Sequence, residues 1–137
     1  MRCMGLDVGT RTIGIAISDE MGMIATGVET IRRTSKERDY NRLKELVAQY
    51  GVTTMVVGFP KNMNGSIGER AEACKDMAEE LKTVFPGMEM VLWDERLSTV
   101  AAHRVLIEAD MSRNKRKKVV DTVAAVIILQ NYLDSRC

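Results

Sequence analysis

Three carboxylates stand where carboxylates are hard to accommodate. Asp121 interrupts the run Val119-Val120-Asp121-Thr122-Val123-Ala124-Ala125-Val126-Ile127-Ile128-Leu129, which is apolar on nearly every side of a helix and therefore reads as buried. Removing one such group from water costs several kcal/mol even after relaxation, so it must be protonated, paired with a cation or bound to a metal. Two other acids favour the metal. Asp7 ends the first apolar segment, and Asp94-Glu95 closes Met90-Val91-Leu92-Trp93. Magnesium takes oxygen ligands and is held by a few carboxylates while keeping waters, so acids from three separate elements are a suitable complement.

Those acids need elements to bring them together. Residues 3–7 and 12–18 read as two strands joined by a glycine-containing turn, with Ile13, Ile15 and Ile17 on one face. A third strand is expected around residues 24–30, weakened by Gly27. Thr34 and Glu37 make a capping box ahead of Tyr40, Leu43, Leu46, Val47 and Tyr50, which recur at helical spacing until Gly51. Thr54-Met55-Val56-Val57-Gly58 is continuously apolar, as suits a parallel strand covered on both faces. Ser66 and Glu69 form a second capping box, opening a helix striped by Ala71, Cys74, Met77, Ala78, Leu81 and Val84 and ended by Pro86-Gly87. A strand follows over residues 90–95, then a helix from after Ser98 to about Ala109, and a last helix from about Lys117 to Leu133. The order βββαβαβαα predicts an α/β fold with antiparallel leading strands and later strands entering by helical crossovers. In that arrangement the strands ending in Asp7 and in Asp94-Glu95 are neighbours, and the last helix packs across their ends.

Composition narrows the function classes. A chain of 137 residues with 45% hydrophobic content supports one core, excludes intrinsic disorder and reads as a single domain, residues 1–137. The longest apolar run is far short of a bilayer span and residues 1–10 lack a leader pattern, so a cytoplasmic protein away from membranes is expected. Cys3, Cys74 and Cys137 are widely spaced and form no C-x-x-C pair, which supports neither a zinc site nor a disulfide framework. The formal net charge of +1 gives no global attraction to nucleic acid, yet five of the six residues 113–118 are basic. Two Phe, three Tyr and one Trp make no platform for stacking bases, which favours recognition of backbone and shape. His103 is the only histidine, without a serine or cysteine nucleophile motif to serve.

Several ordered blocks resemble one family: Gly5-Leu6-Asp7-Val8-Gly9-Thr10-Arg11-Thr12-Ile13-Gly14-Ile15-Ala16, Val57-Gly58-Phe59-Pro60, Met63-Asn64-Gly65-Ser66, Asp94-Glu95-Arg96-Leu97-Ser98-Thr99, and Lys118 through Asp121 to Gln130. They are similar, in order and over essentially the whole chain, to the bacterial YqgF family of pre-16S ribosomal RNA nucleases, also described as Holliday-junction resolvases. The resemblance implies a ribonuclease H-like fold, here a mixed five-stranded sheet with helices on both faces. It also implies a cytoplasmic metal-dependent endonuclease that trims the 5′ end of the small-subunit ribosomal RNA precursor. Asn64 stands where members often carry aspartate.

Phosphodiester hydrolysis needs an activated water and a stabilised leaving oxygen, which two divalent cations about 3.5–4 Å apart supply. Asp7 is expected to bridge the two metal positions, with Glu95 and Asp121 completing them and Mg²⁺ or Mn²⁺ as the ion. Asp94 and Glu95 point to opposite faces of a strand, and Glu95 is chosen by the resemblance alone. Lys115, Arg116, Lys117 and Lys118 are expected to meet substrate phosphates, as are Arg11 and Arg96 beside the acids. Residues 59–65 form a candidate substrate loop. Plainer readings stay open: Asp7 as a turn aspartate, Asp121 paired with Lys117 or Lys118, the basic run as a solvated connection, the two arginines in structural salt bridges. At the level of function, a junction resolvase would share the chemistry but act on branched DNA as a symmetric dimer, and neither monomer nor homodimer is indicated. A nucleotide-binding protein is suggested by Asp7-Val8-Gly9-Thr10-Arg11, which also resembles the first phosphate loop of actin-like kinases; the chain has no second Asp-x-Gly loop. The remaining alternative is a catalytically silent RNA-binding factor acting on ribosomal precursor particles.

Overall fold

Strand β1 (Arg2–Val8) turns through Gly9 into β2 (Thr12–Ser18), and β2 turns through Gly22 into β3 (Ala25–Arg32). Helix α1 (Lys36–Tyr50) leads to β4 (Val52–Phe59), α2 (Glu69–Val84) leads to β5 (Glu89–Asp94), and the last helix, here α3, spans Arg113–Ser135. This structure is a computed structural model that describes residues 2–59, 68–94 and 113–136, with backbone alone over 113–121. The five strands form one sheet in the order β3-β2-β1-β4-β5. β1 runs antiparallel to β2, as β2 does to β3, whereas β4 is parallel to both β1 and β5. The fold is the expected mixed, ribonuclease H-like α/β architecture.

Alternation of side chains builds a core on each face. Met4, Leu6, Val8, Ile13, Ile15, Ile17, Met55 and Val57 pack with Leu43 and Leu46 of α1 and Cys74, Met77, Ala78 and Leu81 of α2. On the opposite face Cys3, Ala16 and Val56 pack with Ala125, Ile128, Leu129, Tyr132 and Leu133 of α3. Cys3 and Cys74 are buried free thiols that fill these two cores. The stripes read from the sequence in α1 and α2 are the ones that bury.

Helix α3 lies very close to the sheet, and two glycines permit it. A Cβ at Gly5 would stand 2.7 Å from Leu129 Cβ and 2.9 Å from the Ala125 carbonyl oxygen. One at Gly27 would meet Thr122 Oγ1 at 2.8 Å. Gly27, read from sequence as a weakness in the third strand, is therefore where that strand admits the helix. Beside it the register of β3 on β2 shifts between Ile15 and Ala16, whose partners are Glu29 and Gly27.

Several expectations are corrected. β1 and β5 are not neighbours: β4 lies between them. The second edge of β1 was open because β2 had taken the first, so the crossover through α1 delivers β4 there and the next crossover adds β5 outside it. The cap of α1 is Ser35 rather than Thr34; its hydroxyl accepts from the Arg38 N–H at 3.2 Å, while Asp39 Oδ1 accepts from the Thr34 N–H at 3.3 Å. Helix α2 opens after Gly68 with no side-chain cap, so the expected Ser66–Glu69 box does not start it, and Ser66 lies outside the described residues. Helix α3 begins at Arg113, which makes the basic run its opening turns rather than a connection; lysine and arginine are good helix formers. The helix expected after Ser98 lies outside the described residues. Among the described residues no helix is long and apolar enough to cross a membrane.

Candidate active site

Asp7 belongs to the face that α3 covers. Leu6 and Val8 point into the α1–α2 core, while Cys3 and Gly5 lie against α3, so alternation turns Asp7 toward α3. Its cross-strand partner on β2 is Gly14. On the other side, one step beyond the Leu6–Val57 pair, the residue beside it is Gly58. Neither neighbouring strand therefore sets a side chain of its own beside the carboxylate. The Asp7 side chain is 21% exposed, and Arg70 Nη2 approaches its Oδ1 at 3.5 Å. Arg70 comes from the first turn of α2, on the far layer, and reaches around the carboxyl end of the sheet.

The direction of α3 fixes where position 121 falls. Ala125 and Leu129 lie over Gly5, and Arg136 Nη1 is 3.9 Å from Cys3 Sγ, so α3 runs antiparallel to β1. Two residues onward in β1, about 6.7 Å, lead from Gly5 to Asp7. One turn back along α3, about 6 Å for four residues, leads from Ala125 to Asp121. The helix therefore carries position 121 toward the row of Asp7; the Asp121 side chain lies outside the described residues, as does its alternative pairing with Lys117 or Lys118.

On β5 the faces are also resolved. Trp93 pairs with Gly58 and sets its ring edge-on to Tyr132 of α3, with centroids 5.8 Å apart. Trp93 therefore shares the face of Asp7, and Asp94, paired with Phe59, takes the other. Glu95 and Arg96 lie outside the described residues. Because β4 intervenes, the rows of β1 and β5 are separated by two strand spacings, about 9.5 Å, with Gly58 bare between them.

Among the substrate candidates, Arg11 is exposed in the β1–β2 turn, where its carbonyl accepts from the Arg33 N–H at 2.8 Å. Lys115, Arg116, Lys117 and Lys118 lie in the opening turns of α3, with their side chains outside the described residues. Most of residues 59–65 and His103 lie outside them too.

Sequence reasoning missed Arg70 and Arg33. Both line a cleft of about 330 Å³ with Val8, Gly9, Thr10, Glu69 and Ala73, directly beyond the end of β1. Arg33 Nη1 donates to the Gly9 carbonyl at 2.6 Å, and its Nε lies 4.0 Å from Oδ2 of the buried Asp39. Nothing in Arg32-Arg33 or Glu69-Arg70 announces this, because the two residues are brought together only by the meeting of α2 with the β1–β2 turn.

The donor set suits a hard divalent cation. A carboxylate already attended by a guanidinium is a place where positive charge is favoured, and oxygen is the ligand that Mg²⁺ and Mn²⁺ prefer. Among the described residues no three acidic, histidine or cysteine side chains gather as a metal group, Glu95 and Asp121 not being among those whose side chains are described.

Comparison with known proteins agrees with this architecture. A family model, RuvX, described as Holliday junction resolvase, matches residues 1–135. A protein of Bacillus cytotoxicus bearing the name "Putative pre-16S rRNA nuclease" is 60% identical, the alignment covering 99% of this chain and 100% of that one. Its namesake from Bacillus mycoides is 58% identical over the same shares. Among solved structures, T. thermophilus RuvC in complex with Holliday junction substrate is similar with a TM-score of 0.60 at 12% identity, covering 99% of this chain and 95% of that one. The fowlpox virus Holliday junction resolvase gives 0.57 at 14%, covering 98% and 99%. At such identities these two likenesses speak for the fold. Matching both in fold and, along nearly its whole length, in sequence, the chain belongs to the RuvX family, also called YqgF.

Proposed function

We propose that this protein is a divalent-metal-dependent endonuclease that hydrolyses phosphodiester bonds, acting in the cytoplasm on the 5′ end of pre-16S ribosomal RNA. The observation that carries the reading is the position of Asp7: a carboxylate between two glycines at the carboxyl end of β1, on the face crossed by the helix that bears Asp121. Asp7, Glu95 and Asp121 are the residues that hold Mg²⁺ or Mn²⁺. Ions bound there supply water activation and leaving-oxygen stabilisation. Asp7, with Gly14 and Gly58 as its strand neighbours, is the ligand we assign to both ion positions. Glu95 is taken over Asp94 because Asp94, next to Trp93 on β5, faces away from the side of Asp7. Lys115, Arg116, Lys117 and Lys118, on the turns of α3 that lead to Asp121, hold phosphates flanking the cut, and Arg11 and Arg96 contact the backbone beside the acids.

RNA ranks first as substrate because relatives 58–60% identical over the whole chain carry the pre-16S rRNA name. The second reading, a resolvase of branched DNA, is favoured by the family's description and by the RuvC-like fold. It requires a dimer making paired cuts. The deciding experiment offers a pre-16S fragment and a four-way DNA junction in competition, with Mg²⁺ or Mn²⁺ added or chelated. Preferential, chelator-sensitive cutting of the RNA is expected. Preferential cutting of the junction selects the second reading, and tight binding without cleavage of either, with precursor particles also left uncut, rejects the nuclease in favour of a silent assembly factor.

A further inference from the structure

The cleft beyond β1 lies beside the proposed cutting site rather than in it. Its charged lining among the described residues is two arginines and one glutamate, Arg33, Arg70 and Glu69. The two arginines are held differently. Arg33, 28% exposed, is anchored through the Gly9 carbonyl and Asp39. Arg70 is 57% exposed and its ion pair with Asp7, at 3.5 Å, is long for a charge-assisted hydrogen bond. A guanidinium that is loosely paired and half in solvent can change partners at little cost.

We propose that this cleft seats a backbone phosphate of the bound strand, next to the one that is cut, with Arg33 as its fixed cation and Arg70 as a positioning residue. Arg70 is paired with Asp7 and would exchange that partner for the phosphate when the strand binds. The inference rests on the nuclease reading above for the nature of the strand. The planar fork of arginine suits a phosphodiester oxyanion better than a lysine would. Phe59, Arg11 and the β1–β2 turn border the same end of the sheet as the cleft.

The test measures binding of the uncut pre-16S fragment, with Ca²⁺ in place of Mg²⁺, at several salt concentrations, together with Mn²⁺ binding to the protein alone. Arg70→Ala is expected to weaken nucleic-acid binding about tenfold and to lower the salt slope by about the share of one phosphate. Mn²⁺ affinity should stay the same or rise, because a competing cation is gone. Arg70→Lys should restore the slope more fully than the affinity. The same Arg70→Ala change is then made in Asp7→Asn. If Arg70 only attends Asp7, it has no further effect there; a second loss of affinity and slope is the expected result. Unchanged affinity and slope in Arg70→Ala, with wild-type protein binding and cutting normally, overturn the phosphate seat alone. Absence of nucleic-acid binding by the wild-type protein overturns the nuclease reading first. Saturable binding of free ATP that Arg70→Ala removes, without change in nucleic-acid binding, assigns the cleft to a nucleotide and also overturns the proposal.

Discussion

Asp7 is distinguished by what surrounds it rather than by its own chemistry. Gly14 and Gly58 withhold side chains from its two flanks, and Arg70 supplies a cation on the third. Asp7→Asn keeps the shape and removes the charge. Since the partner guanidinium is more than half exposed and the pair is long, its loss should cost no more than about 1 kcal/mol, and a denaturation midpoint close to that of the wild type is expected. Cleavage should fall by more than about 100-fold, beyond what loss of an outer partner causes. Full activity would remove Asp7 from the site. The acid whose loss should harm the fold is a different one. Asp39 is buried, accepting from the Thr34 N–H and facing Arg33, so Asp39→Ala leaves a donor without its partner. A loss of about 1–3 kcal/mol in denaturant titrations is expected, and an unchanged midpoint would show that water replaces the carboxylate.

At the scale of elements, the site depends on how closely α3 rides on the sheet. Gly5→Ala places a methyl 2.9 Å from a helix carbonyl, which cannot turn aside as a side chain can. Overpacking of this kind costs about 1–3 kcal/mol, and the displaced helix would carry Asp121 with it. Stability and activity should therefore fall together, whereas Gly27→Ala, which meets side chains of Thr122 and Val126 and no backbone, should be milder. The layers are also tied by charge. Arg42 of α1 donates to both oxygens of Glu29 on β3 at 2.7 and 2.6 Å, which holds the Glu29 carboxyl below its ordinary range. Glu80 of α2 is likewise lowered by hydrogen bonds from Lys36 and then from Tyr40 of α1. A depressed acid binds fewer protons folded than unfolded, so its contribution is present above the unfolded value, about 4.3, and is lost as pH falls through the folded one. Wild-type stability should decline on acidification below about pH 4.5, and Glu29→Gln should make that decline shallower. Parallel declines in the two proteins would show that the pair does not couple β3 to α1.

The whole molecule carries a net charge of only +1, so attraction to a polyanion must come from where its charges lie. The basic opening turns of α3 and the cleft at Arg33 and Arg70 belong to elements on opposite layers of the sheet. Replacing Lys115, Lys117 and Lys118 together by Gln should weaken nucleic-acid binding at low salt. The logarithmic salt slope should become shallower by roughly 0.7–0.9 for each phosphate that is no longer neutralised. A slope equal to that of the wild type would exclude the helix from the phosphate path. A change in slope that adds to that of Arg70→Ala would identify two separate cationic patches on one strand.

Local pattern was enough for most of the described elements, though not for how α2 and α3 begin. The stripe Tyr40, Leu43, Leu46, Val47, Tyr50 and the run Thr54 to Gly58 are period and hydrophobicity, properties that neighbours in the chain carry between them, and they gave α1 and β4 correctly. The oddity of Asp7 and Asp121 was legible for the same reason, since a charge in an apolar run is visible without coordinates. What needed the tertiary structure was everything set by distant segments meeting. Strand order placed β4 between β1 and β5, because edge availability is decided only once β2 has paired. The direction of Trp93 onto Tyr132 fixed which way β5 faces, a parity that spacing alone leaves twofold. Arg70 became a partner of Asp7 across 63 residues of chain only because α2 starts where β1 ends, and no periodicity records such an encounter.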